Sequence, residues 1–180
     1  NYEESKAYWI NLYNAILVDD VLDATGSNQI ESVREIRSGA FRPWPWTKDA
    51  VEIVLHKLSL STIENNIIRP VFKDRRIHFV LSKGSLGGGN LLKTAFDGEN
   101  NDELLNSAEK EYLNHPRGVL VTSGGSLRLS SIFEWFAKDF APNQAQLISY
   151  LSEHVSEETK ASLSLANDIS YAYDWSLNGN

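Results

Sequence analysis

His78, Ser82, Lys83 and Ser85 stand close together in RRIHFVLSKGSLGGGNLL, residues 75–92, where an apolar run enters a glycine cluster. Each of these side chains can carry chemistry. A serine hydroxyl attacks a carbonyl once a base removes its proton, and histidine is the usual base. A lysine amine attacks once burial lowers its pKa. If the run 77–81 is a strand that continues, His78 and Ser82 share a face. The acid that would orient the imidazole must then come from elsewhere in the fold. The opposing reading is that a lysine followed by glycine on a loop sits in water.

The glycines pose a second question, phosphate binding. Gly84 and Gly89 have the spacing of a P-loop, but Asn90 and Leu91 occupy its Lys and Ser/Thr positions. Without that lysine and hydroxyl the phosphate charge and the magnesium ion have no partners. The dinucleotide pattern fails as well, because Gly84 and Gly87 are wrongly separated. A loop that uses glycine's conformational freedom accounts for the cluster more simply.

No metal site is expected. His56, His78, His115 and His154 are scattered, without a pair at ligand spacing, and cysteine is absent. Asp19-Asp20 and Glu157-Glu158 read as solvated helix faces. Asn11 and Asn14 interrupt an otherwise apolar helix. Buried amides need partners, so the pair is expected to hold neighbouring loops rather than a ligand.

The elements that must position these residues follow from periodicity and caps. Trp9, Tyr13, Ile16, Leu17 and Val21 predict a helix over 5–24, with Gly26 as its C-cap. A helical turn is expected at 31–37. FRPWPW, 41–46, is irregular, and Trp44 and Trp46 seek a surface to cover. VEIVL (51–55) reads as a strand. Ser61 to Glu64 forms a capping box opening a helix over 62–69, which Pro70 stops. IHFVL (77–81) reads as a buried strand. Residues 102–114 are helical with Asn101 as N-cap, and 119–130 form a hairpin. Ser131 to Glu134 is a second capping box, and helices follow near 143–153 and 157–165. Tyr171, Tyr173 and Trp175 alternate as in a final strand. Strands and helices do not alternate regularly. The expected class is therefore α+β: a mainly helical single domain over 1–180 with a small, largely antiparallel sheet.

Composition narrows the function classes. The chain is 42% apolar and 23% charged, which suits a packed core. Its net charge of −7 argues against nucleic acid as a partner. The basic run Lys73-Asp74-Arg75-Arg76 reads as a surface turn. No apolar run approaches the roughly 20 residues of a membrane span. Methionine is absent even at position 1, which suggests a piece excised from a longer chain.

AYWINLYNAI (7–16), LSLSTIENNIIRPVFKDRRIHFVLS (58–82), HPRGV (115–119), LRLSSIFEWFAKDF (127–140) and YAYDWSLN (171–178) together resemble the "domain of unknown function 547" family. The resemblance implies a bacterial, often exported or envelope-associated protein, hence an extracytoplasmic setting. It does not supply a reaction. Family members carry a cysteine where this chain has Lys83 and another where it has Gly88. Their Glu-His falls on Glu64-Asn65. A cysteine with two histidines nearby would make ordinary members thiol-hydrolase-like, and this chain lacks that cysteine and one histidine. Asn11, Asn14, Glu64, Arg69, His78, Ser85, Trp135 and Asp139 keep the pattern. Arg69 and Glu64 are too far apart round one helix to pair, so they are expected to reach other elements, with Arg76-His78 and Asp139 as the candidate partners.

The leading expectation is a non-catalytic domain that binds an unidentified protein or small molecule and needs no cofactor. Its binding residues would be Asn65, Arg69, Trp44 and Trp46. The alternative is a hydrolase or transferase with a switched nucleophile, Ser85 or Lys83 acting with His78, and Glu64 nearby. A purely structural domain is a third reading, favoured if no pocket lies near 78–90.

Overall fold

Ala7, Ile10, Tyr13 and Leu17 recur at steps of three and four residues and are buried along one face of α1 (Tyr2–Ser27). The computed structural model of the protein describes residues 1–27, 29–36, 45–122, 124–163 and 168–178. The helix outruns the expected 5–24 at both ends. Gly26 lies inside it and lacks the positive φ of a C-cap.

β1 (Asp49–Ile53) and β2 (His56–Ser59) form an antiparallel hairpin. Val54 and Leu55 make its turn at φ 47° and 66°, where Asn-Gly is the usual choice, and both are exposed. The chain then enters one continuous helical run. It comprises α2 (Leu60–Thr62), a π-helical turn (Ile63–Ile68) and α3 (Arg69–Phe72). Ser59, not Ser61, caps it, accepting from the Thr62 N–H. Pro70 does not stop it either. The Arg69 N–H reaches the Glu64 carbonyl, five residues back, so the wider π turn has already reset the ladder where proline's ring and missing N–H would break an α-helix. The run ends at Lys73, which is left-handed at φ 50°.

The expected strand 77–81 is a correction. Asp74 accepts from the Arg76 N–H and opens a 3-10 helix, Arg75–Phe79, and the Leu81 N–H closes onto Ile77. The run is buried, as its composition requires, but it joins no sheet. A short apolar segment satisfies burial equally well coiled or extended.

α4 (Asn101–Leu113) begins one residue earlier than expected, and Asn101 is buried, donating to the Glu3 carbonyl. β3 (Val119–Val121) and β4 (Leu127–Ser130) form the expected hairpin, with Val119 opposite Leu129. α5 (Ile132–Trp135), α6 (Ala137–Phe140), α7 (Gln144–His154) and α8 (Glu157–Leu163) lead to β5 (Ile169–Ala172), which joins β4 in parallel. A parallel pairing needs such a long crossover. The Ser131 capping box does not form, and the Ser130 hydroxyl accepts from the Ile132 N–H instead. The class is α+β, and among the described residues two strand pairings are antiparallel and one is parallel.

The described residues share one apolar core. Phe79 sits in it, 5.0 Å from the Tyr112 ring, 5.7 Å from Phe140 and 6.2 Å from Phe133. No helix among the described residues is long and apolar enough to cross a membrane.

Candidate functional site

The two asparagines of α1 set the site. Asn14 donates to the Val80 carbonyl at 2.9 Å and accepts from the Ser82 N–H at 3.0 Å. Asn11 does the same to Phe96, at 2.8 and 3.0 Å. Each amide mimics a strand neighbour for a chain segment that has none. The Asn14 clamp fixes the backbone between His78 and Lys83.

Lys83 does not point into water. It is 8% exposed, and its Nζ lies 2.6 Å from Glu64 Oε2 and 3.0 Å from the Tyr13 hydroxyl oxygen. Glu64 is itself buried, carried inward by the π turn. Burial, and then the Glu64 charge, push the Tyr13 hydroxyl well above its ordinary pKa.

His78 is buried on the other side of Glu64. Its ring stacks on Phe136, with centroids 4.2 Å apart. Its Nε2 lies 2.8 Å from Asp139 Oδ2. Arg69 grips the same carboxylate with two hydrogen bonds, Nε to Oδ2 at 2.6 Å and Nη2 to Oδ1 at 3.0 Å, and gives Nη1 to Asn65 at 2.5 Å. Burial acts to raise the Asp139 pKa, but the hydrogen bonds from His78 and Arg69 outweigh it and hold the carboxyl well below the usual carboxylate range. Burial is the largest influence on His78 and takes its pKa below 6.5, against the upward pull of Asp139 and Glu64.

Those directions assign the imidazole proton. An ionised Asp139 only accepts, so a neutral His78 carries its hydrogen on Nε2. Nδ1 is then a lone pair. It faces Glu64 Oε1 at 4.0 Å, and both atoms are buried without a hydrogen-bond partner. Two acceptors meet, which explains a gap slightly too long for a bond.

The structure thus brings Glu64, His78 and Lys83 together, with Arg69, Asn65 and Asp139 behind the imidazole. Ser85 is fully buried and lies 2.9 Å from the Tyr173 hydroxyl, with no hydrogen bond to His78. Trp46 is half-buried against the core, its ring 6.0 Å from that of Trp175. Trp44 lies outside the described residues. Tyr13 and Phe136 complete the cluster without having been singled out. Their only sequence signal was membership of apolar helix faces, which marks core residues in general. No group of metal-ligating side chains occurs among the described residues.

The glycine loop is held from the C-terminal segment. The Leu86 N–H bonds to the Ser176 carbonyl and the Gly87 N–H to that of Asp174. A cleft of about 730 Å³ opens there, with Gly87, Arg34, Arg128, Tyr173 and Trp175 in its walls.

No curated protein and no solved structure matches the chain. One family model does, described as "Protein of unknown function, DUF547", over residues 1–113. Those residues include Glu64, Arg69, His78 and Lys83, and end before Asp139. The match covers more than half of the sequence, and the chain belongs to this family of unknown function.

Proposed function

We propose that this chain is a non-catalytic domain that binds a ligand or a partner protein, built on a site whose reactive groups have been replaced. One observation carries the reading. The open nitrogen of His78 faces the oxygen of Glu64 at 4.0 Å and no nucleophile, while the other Glu64 oxygen holds Lys83. On the family resemblance, Lys83 stands where a cysteine would be. An ammonium held by a carboxylate has no lone pair for attack. The cleft beside Gly87 is large enough for a small ligand and supports binding over a purely structural role. An exported bacterial setting rests on the resemblance alone.

One observation favours the second reading, a hydrolase or transferase using Ser85 or Lys83 with His78. Asp139 stands 2.8 Å behind the imidazole and is itself held by Arg69, as an orienting acid would be. Serine-directed and amine-directed covalent probes separate the two. The non-catalytic reading expects no labelling of Ser85 or Lys83 in the folded protein. Stoichiometric labelling at either, abolished by Ser85→Ala or Lys83→Ala, overturns it.

A further inference from the structure

The basic run at 73–76 does more than turn the chain. A second cleft, of about 290 Å³, lies between this segment and α6, floored by Ile77. Arg69, Lys73, Arg75 and Lys138 line it, together with Asp74 and Asp139.

The charges in this cleft do not cancel. Asp139 is neutralised by Arg69. Asp74 is neutralised by Arg76 at 2.6 Å, with Lys6 at 3.9 Å as a second cation. Neither carboxylate is left for the remaining cations. Lys73, Arg75 and Lys138 have no ion-pair partner among the described residues. The Arg75 guanidinium sits 3.7 Å above the Tyr150 ring and donates to the Phe140 carbonyl at 3.5 Å, contacts that supply no counter-ion. Three cations without an ion-pair partner among the described residues thus line one concavity of a chain whose net charge is −7. Scattered cations would be ordinary, whereas convergence in a concave site focuses potential on whatever enters it.

Lys73 is the left-handed cap that ends the helical run, at φ 50°, with its N–H donating to the Arg69 carbonyl. That turn doubles the chain back so that Lys73 and Arg75 reach the cleft held by Arg69.

We propose that this cleft binds a compact oxyanion, the phosphate or carboxylate group of a small ligand. Arg75, on its aromatic bed, and the two lysines would contact the anion. Arg69 is spent on Asp139 and shapes the wall. The site is separate from the 730 Å³ cleft and from the buried Lys83, and it does not depend on whether the chain is catalytic.

Calorimetric titration of the full chain with inorganic phosphate and with succinate, at ionic strength matched with chloride, tests this. Saturable binding of either is expected, and which one binds identifies the ligand as phosphate- or carboxylate-bearing. Lys73→Gln and Lys138→Gln should each weaken it about tenfold, the loss of one charge-assisted hydrogen bond. Lys57→Gln, at an exposed lysine of β2 that lines neither cleft, should leave it unchanged. Both cleft lysines are exposed, so these variants should fold, as circular dichroism would verify. No binding of either anion beyond chloride overturns the proposal, as does binding indifferent to both cleft-lysine substitutions. Covalent labelling of Ser85 or Lys83 does not involve this cleft, so the two proposals fail separately.

Discussion

Lys83 and Glu64 make the cluster an all-or-nothing arrangement. Both side chains are at least nine-tenths buried, and each is the other's counter-ion. Removing one leaves a stranded charge, whereas replacing both by apolar groups leaves none. Lys83→Met is therefore expected to cost about 3–5 kcal/mol in urea denaturation. Adding Glu64→Leu to it should restore most of that loss. His78 and Asp139 both contribute to the pH dependence. His78 is held below its ordinary 6.5, so between those values the unfolded chain binds more protons and stability rises with pH. Its contribution is complete above about pH 6.5 and is lost as pH falls toward the folded value. Asp139, held below 3.8, contributes fully above 3.8 and loses that contribution as pH falls through its folded value. Denaturation at a series of pH values should show two successive losses, and Asp139→Asn should shrink the second, to which Asp74, also held low by Arg76 against burial, contributes. Protonated His78 would also gain a donor facing Glu64 Oε1, which nitrogen NMR of the imidazole should detect as a new hydrogen bond on Nδ1.

Two kinds of glycine separate at the level of elements. A side chain at Gly89 would overlap the Phe79 carbonyl, so the loop lies directly against the 3-10 turn that carries His78. A Cβ at Gly26 meets nothing within 4 Å, inside a helix where glycine is a poor choice. Gly89→Ala should cost at least about 3 kcal/mol through overpacking. Gly26→Ala should stabilise α1 by about 0.5–1 kcal/mol. Thermal denaturation of the two variants checks both signs. Backbone approach, not phosphate binding, explains why the loop is rich in glycine. Gly84, at φ 67°, adds a conformational need of its own.

The whole molecule is assembled from both ends of the chain. The matched family residues, 1–113, supply Phe79 and the Tyr112 ring beside it, but the other rings against Phe79, Phe133 and Phe140, come later. The segment 174–178 bonds to the backbone at Glu31, Val33, Gly84, Leu86 and Gly87. The fragment 1–113 should therefore fail to fold cooperatively alone. A broad, non-sigmoidal denaturation curve with strong dye binding is the expected readout. A sharp two-state transition would show that the later elements only decorate the core.

Much of the local structure was legible from residue order. The apolar steps of α1, the turn-bounded hairpin at 119–130 and the later helices depend on contacts within a few residues, which periodicity reports directly. The asparagine clamps were legible for a similar reason, since a buried amide must find partners wherever it lies. Other features depended on contacts between distant segments. IHFVL was certain to be buried, but whether it coils or extends was settled by the Asp74 cap, and no strand among the described residues lies beside it. Pro70 signalled a stop that the π turn removes. The fate of Lys83 could not be read locally at all. Its neighbours Ser82 and Gly84 suggest a solvated loop, and burial follows because Glu64 and Tyr13, 19 and 70 residues away, supply the charge and the hydroxyl that make burial affordable. Residue types and spacing establish which segments must be inside. Which buried charges meet is a property of the folded chain, because a counter-ion is recognised by distance and not by order.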